Sequence, residues 1–408
     1  MVQLVLELIG LGFGLAAAVY LLLNVLLGIE VFAALLTSRQ PSAADSSESP
    51  GAPESLAAFR VLVPAHNEAA GIGTTLQNLL QEVDDPQQIC VIADNCTDET
   101  AAIAREYNVQ VLERTDAELR GKGYALDFGL QHIEAASDSP PDVVVMVDAD
   151  CHVADGTLAA IAQRAAASNR PVQAVYRMAS PPNPSPKDGV SAFAFTVKNR
   201  VRAGGLSSLG MPILLGGTGM AFPWQALQQV EVASGHIVED MKLGIDLAIA
   251  GYPPTLATDY VVTGQLPSSE DAATSQRTRW EHGHLESLTT YVPQLLVAAV
   301  RQRRLGLLML ALDLAIPPLS LWVAIGAGLA VATAIMAIAA GVMWPAIVQA
   351  IACGVLVAAI GVAALKWRPP ELSLMQLLSI PFYVLWKLPI YLKFLVSPQK
   401  DWVRTERD

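Results

Sequence analysis

FRVLVPAHNEAAGIGTTLQNLLQEVDDPQQICVIAD, residues 59–94, is the stretch whose reading decides the fold. It holds two short apolar runs, 59–66 and 88–93, and between them residues 69–83 carry helical spacing. An apolar strand, a helix and a second apolar strand make a βαβ unit, whose strands are parallel and buried on both faces. The pattern continues with a helix over 98–107, a run at 109–112, a helix over 122–136 and a run at 142–147. The expected fold class is therefore α/β, with a Rossmann-like, mainly parallel mixed sheet.

Downstream the pattern loosens. Residues 181–188 form a proline-rich loop, 190–202 read as a helix, and 239–250 and a stretch from about 269 onward read as two more. Residues 213–222 contain Gly216-Gly217-Thr218-Gly219, which suits a loop that approaches a ligand closely, or a tight turn with no ligand.

The flanks are a different material. The chain is 52% hydrophobic and only 16% charged, outside the soluble norm. Residues 4–36 hold only Glu7 and Glu30 as charges, 305–365 only Asp313, and 374–396 only Lys387 and Lys393; about 20 apolar residues span a bilayer. The expected order is a transmembrane anchor at 1–36, a linker at 37–57, a catalytic domain at 58–285, an interfacial helix at 286–304, transmembrane and interfacial helices at 305–398, and a tail at 399–408. The first stretch has no basic start and is too long for a signal-peptide core, so it reads as a retained anchor. Arg39, Arg301, Arg303, Arg304, Lys366 and Arg368 at the membrane edges place the central domain in the cytosol, beneath the cell (inner) membrane. Lys400, Arg404 and Arg407 favour that side as well. Three C-terminal spans would put them outside, so either 305–365 holds two spans and 380–394 lies in the interface, or the count differs.

A net charge of −12 excludes a nucleic-acid surface, which needs clustered Lys and Arg. Cys90, Cys96, Cys151 and Cys353 contain no CxxC pair and suggest neither a disulfide framework nor a thiolate zinc site. His282 and His284 lack a third ligand and read as contacts to substrate or interface.

The chemistry concentrates at strand ends, where open α/β sheets bind ligands. Asp148 and Asp150 project beyond the run 143–147, a poor place for solvated charge and a good one for Mg²⁺ or Mn²⁺, which take one or two carboxylates plus phosphate oxygens. Around this DxD triplet stand Glu68, Asp94, Lys122 opening a helix, Glu239-Asp240, and Gln276, Arg279 and Trp280, which share one helix face.

On these residues the chain resembles the membrane-integrated family-2 glycosyltransferases, the group of cellulose, hyaluronan and poly-N-acetylglucosamine synthases. Their D, D, D, QxxRW pattern is met by Asp94, Asp150, Asp240 and Gln276-Arg279-Trp280 in order. The resemblance implies a GT-A-type domain inserted between transmembrane helices and inverting transfer from a nucleotide-sugar, a UDP-sugar by expectation. It implies that Glu68 and Asp94 hold the nucleoside, that Lys122 meets the diphosphate, and that Asp148 and Asp150 hold the metal. Asp240 is the implied base taking the acceptor's proton, with Gln276, Arg279 and Trp280 contacting donor and acceptor, and Gly217, Thr218 and Glu239 near the acceptor. Each has a structural alternative: a helix cap for Glu68, a solvated lysine for Lys122, a first-turn acid for Asp240, and an Arg–Trp stack bracing the interface. The second motif reads Ala93-Asp94-Asn95 instead of a double aspartate, which leaves the base-facing residue open.

Processive polysaccharide synthesis coupled to export, with an export partner protein, is the leading expectation. Transfer of one sugar to a membrane lipid, as in ceramide- or hopanoid-linked enzymes, is the alternative. An inactive nucleotide-sugar-binding membrane subunit is the alternative of another class.

Overall fold

The computed structural model describes residues 2–37, 57–136, 140–181, 184–267 and 269–397. The interior of the expected linker, the expected tail and the basic residues Arg39, Lys400, Arg404 and Arg407 lie outside them. In chain order the elements are α1 (Val2–Thr37), β1 (Phe59–Ala65), α2 (Ile72–Leu79), β2 (Ile89–Asp94), α3 (Thr100–Arg105), β3 (Gln110–Arg114), α4 (Lys122–Ala136), β4 (Val143–Met146), β5 (His152–Val153) and α5 (Thr157–Ser168). There follow β6 (Val172–Ala179), α6 (Pro186–Thr196), a π-helical turn (Val197–Arg202), α7 (Ala203–Ser208), β7 (Met220–Pro223), α8 (Trp224–Leu227), α9 (Glu239–Ala250) and β8 (Thr255–Gln265). The last are α10 (Glu270–Gln302), α11 (Leu305–Leu314), α12 (Leu319–Ala340), α13 (Trp344–Trp367) and α14 (Ile380–Val396).

The strands form one mixed sheet in the order β3-β2-β1-β4-β7-β6-β8-β5. β1 pairs in parallel with β2 and β4, and β2 with β3, whereas β7 runs antiparallel to both β4 and β6. The register Val61↔Ile89 and Val61↔Val145 brings the carboxyl ends of β2, β1 and β4 side by side. Strand side chains alternate in direction. Val61, Val63 and Val91 thus pack under α2 and α5, while Leu62, Ile92 and Val144 pack under α4 and α9. Every residue of β2 and β4 is buried, as parallel strands covered on both sides require.

Helix α6 begins four residues earlier than its apolar spacing suggests, inside the proline-rich loop. Ser185 accepts from the Asp188 N–H at 3.4 Å, the Asp188 carboxylate accepts from the Ser185 N–H at 3.0 Å, and Pro186 occupies the first helical position. The following turn, expected as ordinary helix, is a π-helix carrying Lys198, Asn199 and Arg202; such bulges re-aim side chains within a helix.

α1, α12, α13 and the 376–396 segment are each long and apolar enough to cross a membrane by length and composition. Pro317 and Pro318 separate α11 from α12. α10 runs unbroken over 33 residues, across the boundary drawn at 285/286. Polar pins hold the apolar helices together: Asn24 donates to the Ala352 carbonyl at 3.1 Å and accepts from the Trp322 indole at 2.7 Å. α1 also grips the catalytic layer, since Leu27 and Val31 share a core with Val190, Phe193 and Val201. Arg202 of the π-turn binds Glu30 of α1 at 3.3 Å and Asp313 of α11 at 2.5 Å, a buried triad joining three elements.

Candidate active site

The loops after β1, β2 and β4 meet above neighbouring strand ends. Asn67 and Asn95 turn the chain there in the left-handed region, with φ of 56° and 52°, which asparagine tolerates better than most residues. Asp94 ends β2, and its carboxylate accepts from the Arg114 guanidinium of β3 at 2.6 Å. Arg114 also lies 3.3 Å from Asp116. Sequence reading missed Arg114; its place at the end of the strand beside Asp94 was the available signal. The N–H of Glu68 donates to Thr100 at 2.8 Å and its carbonyl accepts from Gly71 and Ile72 ahead of α2.

Asp148 follows β4. Its N–H donates to the Thr218 hydroxyl at 3.0 Å, and its carboxylate pairs with Lys122, the first residue of α4. Lys122 also reaches the Gly217 carbonyl at 2.5 Å and Glu239 at 3.7 Å. Thr218, expected near the acceptor, is fully buried; its hydroxyl is spent supporting Asp148 from beneath. Gly217 has φ +97°, and a Cβ there would stand 3.3 Å from the Asp240 carboxylate, so both backbone and space call for glycine.

Asp148, Asp150 and Cys151 present ligand atoms within 4.8 Å of one another. Burial pushes the Cys151 thiol up to about 12, so it stays protonated and is no ligand for a hard cation. The two carboxylates fit Mg²⁺ or Mn²⁺ completed by donor phosphate oxygens.

Below these groups a cavity of about 230 Å³ opens toward the apolar helices. Its upper wall is Lys122, Asp148, Gly217, Glu239 and Asp240, and α10 adds Gln276, Arg279 and Trp280 from one face. Its lower end reaches Leu27 of α1, Leu319 and Ser320 of α12, and Tyr383 and Lys387 of α14. Glu68, Asp94 and Asp150 sit outside this wall, on the strand-end side. Trp280 stacks on Phe195 with ring centroids 5.7 Å apart.

Burial dominates the electrostatics. It pushes the Glu239 carboxyl up to about 7, opposed by Lys122 and reinforced by Asp240. It raises Asp240 too, against the pull of Lys198 and Lys122. Burial alone would lower Lys122, but Asp148, Glu239 and Asp240 outweigh it and hold the ammonium charged. Glu239 can exchange a proton near neutrality, and burial makes the Asp240 carboxylate beside it a stronger proton acceptor than a free one, as a general base requires.

Arg277 and Glu281 also line the cavity, and His282 lies beside them on α10. Arg277, inside the QxxRW run, pairs with Asp188 at 3.1 Å and ties α10 to α6. Glu281 pairs with Lys387 of α14 and accepts from Tyr391 at 2.8 Å. The ring nitrogen Nε2 of His282 lies 2.9 Å from the Ile390 carbonyl, at the α10–α14 seam. These contacts join residues 89 to 110 apart, beyond the reach of local spacing.

Three comparisons bear on this geometry. A 78-residue stretch is 37% identical to 4,4'-diaponeurosporenoate glycosyltransferase of Staphylococcus aureus, covering 18% of this chain and 20% of that one; the chain thus aligns with about a fifth of the length of the curated relatives it matches. The fold matches a mannosyltransferase from Pyrobaculum calidifontis solved in complex with GDP-Man and Mn²⁺, with a TM-score of 0.53 and 19% identity over 97% of this chain and 100% of that one. The sheet and its flanking helices are thus the expected GT-A-type arrangement. Residues 57–283, which carry every strand and all the acidic motifs, match the family profile described as "Glycosyltransferase like family 2", and on that match the chain belongs to the family-2 glycosyltransferases.

Proposed function

We propose that this chain transfers a single sugar from a nucleotide-sugar to a lipid acceptor held in the cytosolic leaflet of the cell membrane. The observation that carries the reading is the single cavity joining Asp148 and Asp240 to α1, α12 and α14. The apolar helices expose broad faces, with Ile338 at 87%, Val357 at 70% and Leu385 at 61%. The reach of the cavity to α1, α12 and α14 suits a lipid acceptor.

In this reading Glu68 and Asp94 hold the nucleoside of a UDP-sugar, and Arg114 fixes the Asp94 carboxylate. Lys122 meets the diphosphate. Asp148 and Asp150 would hold Mg²⁺ or Mn²⁺, whose charge neutralises the departing nucleoside diphosphate. Asp240 takes the proton of the acceptor hydroxyl as its oxygen attacks the anomeric carbon, the bond to the diphosphate breaks, and configuration inverts. Gln276, Arg279 and Trp280 orient sugar and acceptor from α10, with Gly217 and Glu239 beside them. Arg301, Arg303, Arg304, Lys366 and Arg368 set the catalytic side toward the cytosol.

Processive synthesis with export is the second reading, favoured by the clustering of Gln276, Arg279 and Trp280 on the cavity wall. Membranes containing the chain, incubated with radiolabelled nucleotide-sugars, separate the two. Label in the organic extract as one discrete product supports lipid transfer; label in alcohol-insoluble polymer overturns it.

A further inference from the structure

Among the cavity's cations, most are already matched. Lys122 faces Glu239 at 3.7 Å, Arg202 faces Asp313 at 2.5 Å, Arg277 faces Asp188 at 3.1 Å, and Lys387 pairs with Glu281. Lys198 differs. Aimed into the cavity by the π-turn, it has no carboxylate within 4.0 Å among the described residues, and its Nζ lies 3.9 Å from the Met241 sulfur. Burial pulls its pKa down, with Asp240 pulling back. A half-buried ammonium with no carboxylate in contact is a place where an anion can join it.

A second observation lies beside it. Gln276 and His284, 2% and 4% exposed, also line the cavity, and the Gln276 Oε1 and His284 Nε2 atoms have no hydrogen-bond partner among the described residues. Burial, with Lys198 and Arg202 close by, holds His284 well below its ordinary pKa and therefore neutral. It offers a hydrogen bond, not a charge. Buried polar atoms are usually paired, so orphans facing one cavity point to a polar ligand.

Resting on the lipid-acceptor reading, we infer that Lys198, Gln276 and His284 form a headgroup subsite for an acidic lipid. Its head carries a phosphate or carboxylate together with a free hydroxyl. The anion sits against Lys198, polar atoms of the head bond to Gln276 and His284, and the free hydroxyl, facing Asp240, is the one glycosylated. The acyl part then lies toward Leu27 and Leu319, at the membrane end of the same cavity.

The test counts lipids bound to the full chain in detergent micelles by native mass spectrometry, with UDP binding measured in parallel. Phosphatidylglycerol, hydroxystearate and dioleoylglycerol are the probes: phosphate with hydroxyl, carboxylate with hydroxyl, and hydroxyl alone. One or both acidic lipids should bind about tenfold or more tighter than dioleoylglycerol, the scale of a hydrogen bond to a charged group. Which of them does so identifies the anion. Lys198→Met should erase the preference with UDP binding retained, and Lys198→Arg should restore it. Equal binding of all three lipids by wild type, or a preference that survives in Lys198→Met, overturns the subsite while leaving the transfer reading intact. Should Lys198→Met fail to fold, wild-type selectivity alone decides. Failure of the wild type to bind UDP overturns the transfer reading itself.

Discussion

Replacing Lys122 by Met removes the ammonium between Asp148, Glu239 and the Gly217 carbonyl while keeping an apolar stem of similar reach. Opposite charges 4 Å apart in an effective dielectric of about 20 attract by roughly 4 kcal/mol. Removing one partner of a buried pair typically costs about 3–5 kcal/mol when the other stays charged. Here it need not stay charged: Glu239, pushed up to about 7, takes a proton near neutrality. Asp148 keeps water at a side chain 27% exposed. The stability loss should therefore be only about 1–2 kcal/mol, an ordinary value for one substitution. The donor side has no such relief, because a diphosphate keeps its charge and loses a charge-assisted contact of about 1.5–3 kcal/mol. The Kd for UDP in the presence of Mn²⁺ should rise roughly 10- to 150-fold. Mn²⁺ alone should bind at least as well as in wild type, since Asp148 is freed from its ion pair. Isothermal titration calorimetry of the full chain in nanodiscs, with thermal denaturation as the folding control, measures all three. A UDP affinity within about twofold of wild type would refute placing Lys122 against the diphosphate.

Asp240→Asn should abolish transfer, measured as radiolabelled product, with UDP binding near normal; turnover close to wild type would remove Asp240 as the base. Chelation should remove activity and Mg²⁺ or Mn²⁺ restore it, whereas full activity in chelator would exclude a metal at Asp148 and Asp150. Glu239 gives a pH signature. Its folded pKa of about 7 exceeds the usual 4.5, so its contribution to stability is complete below pH 4.5 and lost as pH rises through about 7, by at most about 1.4 kcal/mol per unit. Activity should climb as Glu239 ionises through about pH 7 beside Asp240, whose own pKa burial also raises. Glu239→Gln should flatten the stability slope between pH 5 and 7; an unchanged slope in denaturation midpoints would mean another group titrates there.

The half of the fold built from β1 to β4 is legible in the sequence because local order decides it: each strand holds a short apolar run, and each crossover is a helix. β6 and β8 are harder to read, since they pair with each other across the chain segment from 180 to 254 and meet antiparallel neighbours at the β6–β7 and β8–β5 edges. The helix start at Pro186 hides because its cap lies among prolines. At the site, carboxylates after strands and the Gln276-Arg279-Trp280 face are visible from spacing alone. Thr218 misleads, because a polar residue in a glycine loop reads as ligand-facing when it holds a neighbouring backbone instead. Lys198 gives no local signal at all, since its importance comes from a π-turn and from partners it lacks in three dimensions.

The buried triad of Arg202, Glu30 and Asp313 changes what the first helix is for. Cutting the chain after residue 37 would take Glu30 from Arg202 and Leu27 from the wall of the cavity beside Asp240. What remained would be a catalytic domain with a hole in its foundation, not a released soluble enzyme. The N-terminal helix is a structural part of the cavity wall as well as a helix long and apolar enough to cross a bilayer.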